Sequence, residues 1–241
     1  MRTYGLIGYP LTHSFSPGYF KIKFEKEGIL NSEYKAFELE VIDDLEELIS
    51  NHSPRGLNVT IPYKKAVIDF LDELSPEAKR IGAVNTIKID GDLRIGYNTD
   101  IYGFQESLER FIGDEKPEDA LVLGTGGAAQ AIQYVLEELD ICYHNVSRRS
   151  GYLNYGDLDE PMMKKHQLII NTTPLGTYPN TMAFPDIPYE YLSKDHFLYD
   201  LVYNPAATEF MKRGKSADAR VKNGLDMLYL QAEKSWDIWN S

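Results

Sequence analysis

The sequence predicts a protein built from two α/β domains. Strand-like apolar runs alternate with amphipathic, helix-like segments along most of its 241 residues, and this alternation is typical of mainly parallel sheets with helices on both faces. It is interrupted near residues 100–118, where a polar loop precedes a new strand. We therefore predict a first domain over residues 1–101 and a second domain over residues 102–224, followed by a helix over 225–241.

The first domain is expected to begin with a strand and a helix, for which Ser16 is the predicted N-cap and Gly28 follows the end. Asp90-Gly91 predicts a hairpin between two strands, and Pro62 is expected to open a helix directly after an apolar strand. The predicted strands cover 3–8, 33–40, 56–61 and both arms of the hairpin within 83–100, and the predicted helices cover 16–28, 42–50 and 62–74.

The second domain repeats the alternation of strands and helices. Its last predicted helix has apolar residues at i, i+3 and i+4 spacing, although this periodicity does not indicate where the helix packs. The predicted strands cover 120–124, 141–147, 167–173, 197–203 and 220–222, and the predicted helices cover 101–113, 127–140 and 225–239.

Composition limits the possible functions. The net charge of −12 opposes binding to nucleic acid or to anionic lipid, and neither a signal peptide pattern nor an apolar run of membrane-spanning length is present. Cys142 is the sole cysteine of the sequence, and we expect it to be buried in a strand of a cytoplasmic protein. The histidines show no i, i+4 pairing, so we expect no metal site.

Three glycines lie between a predicted strand and a predicted helix. Gly124 permits a tight turn, and Gly126, followed by Gly127, lets the backbone approach a pyrophosphate at the helix N-terminus. Ala129 stands where the motif accepts a third glycine, and a second strand follows at the expected distance. A structural glycine turn is the alternative, but this context favours a Rossmann-like dinucleotide-binding domain.

The end of that second strand indicates which dinucleotide would bind. A site for NAD usually has an acid there, whereas this chain has Ser147, Arg148 and Arg149, with no acid before Asp157. Guanidinium groups form bidentate bonds to phosphate oxygens. The pair favours NADP as the cofactor, with a solvated basic turn as the alternative.

Lys64 follows the carboxyl end of a predicted strand, where open α/β sheets bind ligands. Most lysines are simply exposed, but a cation near a helix N-terminus opposes the macrodipole. Asp100 is a candidate partner, although an acid in the first turn of a helix has a simpler explanation as a cap. A Lys–Asp pair beside a substrate carbonyl can pass a proton as a hydride arrives.

Eight short segments occur in one order over nearly the whole chain: GYPLTHSFSP, NVTIPYK, GAVNT, NTD, GTGGAAQA, INTTPLG, YDLVYNP and NGLDMLYLQAEKSW. In this ordered set the sequence resembles the shikimate dehydrogenases, which reduce 3-dehydroshikimate to shikimate with NADPH in aromatic amino-acid biosynthesis. The resemblance implies two α/β domains, an N-terminal substrate domain with a mainly parallel sheet and a Rossmann-like NADP-binding domain.

The resemblance also implies roles for individual residues. Lys64 and Asp100 match the catalytic pair, His13 is expected to be structural, and the final helix is expected to return to the first domain with Gln231. The implied substrate contacts are Ser14, Ser16, Thr60, Asn85, Asp100, Tyr203 and Gln231. The implied cofactor contacts are Gly124, Thr125, Gly126, Gly127, Ala128, Ser147, Arg148, Arg149, Leu201 and Gly224.

Three functions remain open from the sequence. The first is an NADP-dependent shikimate dehydrogenase acting on a small-molecule substrate as a monomer or homodimer. The second is a quinate or dual quinate/shikimate enzyme. The third is a dinucleotide-binding sensor without catalysis, although the presence of Lys64 and Asp100 argues against it.

Overall fold

The computed structural model describes residues 1–12 and 14–241 and divides into two compact units. The first unit comprises Met1–Asp100 and Gln231–Ser241, and the second comprises Ile101–Leu230. The sequence prediction divided the domains at 101/102 and 224/225 instead. His13 lies outside the described residues, so its expected structural role stays a prediction.

The first unit contains a mixed sheet in the order β2-β1-β3-β5-β6-β4. The strand β1 pairs in parallel with both β2 and β3, whereas β5 is antiparallel to β3 and β6, and β4 is parallel to β6. The predicted hairpin is therefore confirmed, with Gly91 at positive φ between its arms. The strands are β1 (Arg2–Gly8), β2 (Ser32–Glu38), β3 (Gly56–Val59), β4 (Glu73–Leu74), β5 (Thr86–Asp90) and β6 (Leu93–Tyr97).

Two apolar clusters form the core of this unit. One packs the sheet residues Leu57 and Ile87 against Leu45, and the other is aromatic and contains Tyr4, Phe20 and the ring of Trp239. Tyr4 and Trp239 stack with their ring centroids 5.1 Å apart. The helices of this unit are α1 (Phe15–Lys26), α2 (Leu45–His52), α3 (Pro76–Ile81) and the last three turns of α8 (Leu225–Asn240).

The expected helix over 62–74 is wrong. The segment forms a turn and a 3₁₀ helix over Ala66–Phe70. A regular α-helix would use the Lys64 carbonyl for the amide of residue 68, but this carbonyl accepts from Val84 N at 2.7 Å, and Ile68 N donates to Lys65 O instead. A contact distant in sequence therefore replaces the helical hydrogen bond.

The predicted start of the first helix is also wrong. Ser14, not Ser16, is the N-cap of α1, and Ser16 lies buried in its first turn. Pro17 therefore lies in the first turn but not at the first helical position, which is tolerated because the first four amides of a helix have no partner within it.

The second unit contains a wholly parallel sheet in the order β11-β10-β9-β7-β8. Its strands are β7 (Asp119–Leu123), β8 (Cys142–Val146), β9 (Leu168–Asn171), β10 (Phe197–Asp200) and β11 (Arg220–Asn223). Its helices are α4 (Thr99–Ile112), of which the first two residues belong to the first unit, α5 (Gly127–Glu138), α6 (Glu160–Lys165), α7 (Glu209–Ser216) and the start of α8.

The order in which successive strands are added to this sheet reverses at β7, because β8 lies on one side of β7 and β9 on the other. Open α/β sheets bind ligands beyond the carboxyl ends of their strands at such a point. The expectation that Cys142 is buried is wrong, since it is exposed at the start of the edge strand β8. Within the described chain, no helix is long and apolar enough to span a membrane.

Candidate functional site

The first unit brings the predicted catalytic pair together. Lys64 Nζ donates to Asp100 Oδ2 at 2.7 Å, and both side chains are partly accessible, at 34% and 21%. An ammonium held by a carboxylate at an accessible position can donate to an oxygen that develops negative charge. The two residues are 36 positions apart, so this contact follows from the fold.

The turn before Lys64 is fixed by contacts to other strands. The hydroxyl of Tyr63 donates to Leu39 O at 2.6 Å in a buried position, and Thr60 N donates to Ile7 O at 2.9 Å. Together with the bond from Val84 to the Lys64 carbonyl, these contacts hold the backbone on both sides of the lysine.

Asp100 lies in the first turn of α4, where a negative charge interacts favourably with the helix dipole. Its neighbour Thr99 is bound through its backbone, because Thr99 N donates to Asn85 Oδ1 at 2.7 Å. Asn85 is buried, and its backbone amide donates to Tyr97 O. The predicted substrate contact Asn85 therefore also fixes the start of the helix that carries Asp100.

A buried group of polar side chains, which we call the hydroxyl network, lies behind this pair. Its members are Asn58, Thr86, Thr99 and Ser235. Ser235 Oγ lies 2.8 Å from Thr86 Oγ1 and 3.2 Å from Thr99 Oγ1, accepts from Asn58 Nδ2 at 2.9 Å, and donates to Gln231 O at 2.9 Å. The network thus joins α8 to the sheet and to α4.

Three other predicted substrate contacts lie at the edges of this arrangement. The buried Ser16 hydroxyl interacts with Tyr34, whose own hydroxyl donates to Asn58 Oδ1 at 2.8 Å. Desolvation raises the pKa of the Tyr34 hydroxyl well above its usual value. Ser14 and Thr60 are half-buried in the loops that follow β1 and β3. Hydroxyls and amides of this kind suit a polyhydroxylated ligand, because each pairs with a ligand hydroxyl and rejects a ligand that lacks it.

The second unit carries the predicted dinucleotide loop, residues 124–128, between β7 and α5. Gly124 has φ +113°, and an added Cβ would lie 2.7 Å from Thr172 Oγ1, so the turn requires glycine. At Gly126 and Gly127, an added Cβ would meet no described atom within 4 Å. The space beside these two glycines is open to a ligand, and the exposed amides at the start of α5 face it without an acidic side chain in the first turn.

The predicted phosphate-binding residues follow β8. Ser147 is buried and its Oγ accepts from Arg149 N at 3.2 Å, which shapes the turn. Arg148 and Arg149 are exposed, and within residues 1–12 and 14–241 neither guanidinium forms an ion pair. Two adjacent exposed cations are a local concentration of positive charge in a chain of net charge −12, and such a concentration attracts anionic groups.

Leu201 and Gly224 lie next to each other at the carboxyl ends of β10 and β11. An added Cβ at Gly224 would be 2.3 Å from Leu201 O, so only glycine fits. Leu201 N donates to Asn171 O at 3.0 Å. Tyr203 belongs to the same unit and is exposed, and its predicted substrate contact stays a prediction.

Sequence reasoning missed the buried polar residues behind the site. Thr86, Thr99 and Ser235 of the hydroxyl network, and Asp200 of the second unit, contact or adjoin the predicted site residues but were not singled out. Their residue types are common on surfaces, and their burial becomes visible only in the fold.

Comparison with known proteins identifies related chains. Residues 6–87 match the family model described as the shikimate dehydrogenase substrate binding domain. A shikimate dehydrogenase (NADP(+)) from Methanococcus maripaludis is 38% identical over 98% of this chain and 90% of its own.

Solved structures agree with this similarity. Shikimate 5-dehydrogenase from Thermus thermophilus, in complex with NADP(H) and shikimate, is 31% identical with a TM-score of 0.85 over 99% of this chain and 93% of its own. Quinate dehydrogenase from Corynebacterium glutamicum, in complex with NAD, is 25% identical with a TM-score of 0.89 over the same shares of the two chains.

Asp200 gives a prediction for the pH dependence of stability. It is fully buried, and desolvation raises the pKa of its carboxyl to about 6, against about 3.9 in an unfolded chain. Between about pH 4 and pH 6 the unfolded state therefore loses this proton first. The contribution of Asp200 should lower the free energy of unfolding by about 2–3 kcal/mol as pH rises through this window.

Urea unfolding of the unmodified protein and of Asp200→Asn across about pH 4–7 measures this contribution. The difference between the two proteins should change up to about pH 6 and then remain constant. Asp218→Asn, at an exposed position of the same unit, is the control and should show no such change. A constant difference for Asp200→Asn over the whole range would contradict the prediction.

Proposed function

This chain belongs to the shikimate dehydrogenase family, and on that premise we propose that it catalyses the reversible NADPH-dependent reduction of 3-dehydroshikimate to shikimate in aromatic amino-acid (chorismate) biosynthesis. The single observation that carries the proposal is the bond of 2.7 Å between Lys64 Nζ and Asp100 Oδ2. The bond supports the assignment of Lys64 as proton donor and Asp100 as its counter-charge, and the buried hydroxyl and amide groups of Asn85 and Thr99 suit a polyhydroxylated ring.

The residues of the first unit have defined parts in the reaction. NADPH supplies the hydride when it is bound. Lys64 donates its proton to the carbonyl oxygen of the substrate as this oxygen gains negative charge, and in the reverse direction its neutral amine takes the hydroxyl proton. Asp100 holds the ammonium in place and accepts a hydrogen bond from a ring hydroxyl. The residues assigned to substrate binding are Ser14, Ser16, Thr60, Asn85, Tyr203 and Gln231.

The second unit has the features that NADP requires. The open space at Gly126 and Gly127 fits a pyrophosphate at the N-terminus of α5. The exposed Arg148 and Arg149 fit a 2′-phosphate, with Thr125, Ala128 and Ser147 beside them, and Leu201 and Gly224 fit the nicotinamide end. We assign substrate binding to residues 1–101 with 225–241, and cofactor binding to residues 102–224.

The cellular setting follows from the same proposal. A biosynthetic enzyme that consumes NADPH and small polar acids fits the cytoplasm, and the net charge of −12 disfavours nucleic acid and anionic membranes as partners. The partner is the small-molecule substrate, and the assembly is a monomer or homodimer.

A second candidate function is oxidation of quinate, alone or together with shikimate. It is favoured by the structural similarity to the quinate dehydrogenase of Corynebacterium glutamicum. Quinate is tetrahedral at the carbon that bears its carboxylate and carries an extra hydroxyl there, whereas shikimate is flat. Ser14 and Ser16, proposed to bind the carboxylate, leave limited room for that hydroxyl, so shikimate is the preferred substrate.

Substitution of Lys64 tests the catalytic assignment. Lys64→Ala should reduce kcat by about 10²–10⁴-fold, the usual contribution of a general acid–base group, with little change in NADPH binding. Lys65→Ala removes the exposed neighbouring lysine and should leave kcat unchanged. NADPH absorbance with 3-dehydroshikimate provides the measurement, and a Lys64→Ala enzyme that retains most of its kcat would show that Lys64 is not the proton donor.

Cofactor preference depends on the arginine pair. The unmodified enzyme should strongly prefer NADP over NAD, and replacing both Arg148 and Arg149 by Ala should raise the KM for NADP while NAD use barely changes. Arg110→Ala, at an exposed position of α4, is the control for loss of a positive charge. Equal kcat/KM values for the two cofactors in the unmodified enzyme would disprove the assignment.

Substrate preference provides a further prediction. The kcat/KM for shikimate should exceed that for quinate with NADP at one pH, by a factor of at most about 10², the limit for discrimination against an added hydroxyl. Ser14→Gly should reduce the ratio of the two kcat/KM values, because removal of the side chain leaves more space for the extra hydroxyl of quinate beside the carboxylate. If quinate is used as well as shikimate or better, the dual-specificity function replaces the proposed one.

A further inference from the structure

Asp200 is a buried carboxylate at the carboxyl end of β10, and its hydrogen bonds go to residues of the second unit. It has no accessible surface. Its Oδ1 accepts from Asn171 Nδ2 at 2.9 Å and from Val202 N at 3.1 Å, and its Oδ2 accepts from Thr208 Oγ1 at 2.5 Å. Charged side chains are rarely buried to this extent. Burial removes the carboxylate from water, and its hydrogen bonds must offset this loss of solvation.

Each partner of Asp200 controls a different loop. Asn171 ends β9, and its Oδ1 accepts from both Thr173 N at 3.0 Å and Thr173 Oγ1 at 2.6 Å. Val202 lies directly after Leu201 in the loop that follows β10. Thr208 is the N-cap of α7, where its Oγ1 accepts from Met211 N.

These loops surround the predicted cofactor contacts. Thr172, between Asn171 and Thr173, donates through Oγ1 to Leu123 O at 2.8 Å, and this hydroxyl occupies the space beside Gly124. Gly224 N donates to Val202 O at 3.4 Å, and Gly224 packs directly on the Leu201 carbonyl. The bonds of Asp200 therefore reach the turn after β7, the turn after β9 and the Leu201–Gly224 contact.

We propose that Asp200 is the positioning residue of the cofactor site: one buried carboxylate holds the loops after β9 and β10 in the arrangement that binds the nicotinamide end of NADP. It acts through Asn171 and Val202 and does not itself touch the cofactor. The inference rests on the proposed function for the identity of the ligand.

The donors around the carboxylate explain why this position needs an acceptor. Asn171 Nδ2, Val202 N and Thr208 Oγ1 all donate, so removing the side chain leaves buried donors unpaired and the loops without a common anchor. Asparagine has nearly the same shape, and its oxygen can accept from both Asn171 Nδ2 and Val202 N, which are the bonds that lead to the two loops. Its amide group replaces only the acceptor for Thr208 Oγ1. We therefore expect Asp200→Asn to retain NADPH binding and Asp200→Ala to weaken it.

Direct binding of NADPH, measured by its fluorescence, tests the proposal without turnover. Asp200→Ala should raise the Kd for NADPH about tenfold or more, and the KM for NADP should rise with it while the KM for shikimate stays unchanged. Asp200→Asn should restore binding to near the unmodified value. Leu198→Ala, in the same strand and equally buried, removes core packing only and should lower stability without changing the Kd.

Other outcomes decide the proposal in the opposite direction. Unchanged NADPH binding in Asp200→Ala, or an equal rise in Leu198→Ala, would overturn it. If Asp200→Ala fails to fold, Asn171→Ala decides, because it removes both the bond from Asn171 to Asp200 and the two bonds from Thr173 to Asn171: a raised Kd supports the proposal, and an unchanged Kd overturns it. An unmodified protein that binds NADPH but does not reduce 3-dehydroshikimate contradicts the proposed function alone.

Discussion

The hydroxyl of Ser235 is the interaction on which the geometry of the first unit depends. It donates its single proton to Gln231 O, so it acts as an acceptor toward Asn58 and toward the hydroxyl of Thr86 or Thr99. Thr99 is also bound to Asn85, because Thr99 N donates to Asn85 Oδ1 at 2.7 Å and Thr99 Oγ1 donates to the same oxygen at 3.1 Å. These pairings stabilise the fold because a buried polar group without a partner is costly. The network thereby fixes the start of α4, and with it the position of Asp100 beside Lys64.

Local signals in the sequence predicted most of the fold. Apolar runs marked the central strands of both sheets, Asp90-Gly91 marked the hairpin, and the glycines from Gly124 marked the turn between β7 and α5. The expected helix over 62–74 failed because Val84, distant in sequence, uses the Lys64 carbonyl. Propensity describes what a segment does alone, and a tertiary hydrogen bond of this kind overrides it.

The sequence predicted which residue types form the site, but not the buried side chains that hold those residues in place. Lys64 and Asp100 could be selected because a lysine after a strand and an acid in a first turn are chemically informative positions. Their contact at 2.7 Å depends on the fold. Ser235, Thr86 and Asp200 carried no sequence signal, since serine, threonine and aspartate usually indicate caps, turns or surface. Their role arises from burial, which neighbouring sequence does not reveal.

The two units share one arrangement of accessible loops and buried polar side chains, but they differ in whether the cationic side chains are paired. In each, accessible loops at strand ends carry the functional groups, and a fully buried polar side chain, Ser235 or Asp200, holds those loops from behind. In the first unit Lys64 is paired with Asp100, which restricts the position of its ammonium. In the second unit Arg148 and Arg149 are exposed, so their charge remains available to a phosphate.

Because the chain as a whole carries a net charge of −12, anionic ligands are repelled except where such local cations act, and screening by salt weakens both effects. Selection of an anionic cofactor by this protein therefore depends on the placement of a few charges and not on its overall charge.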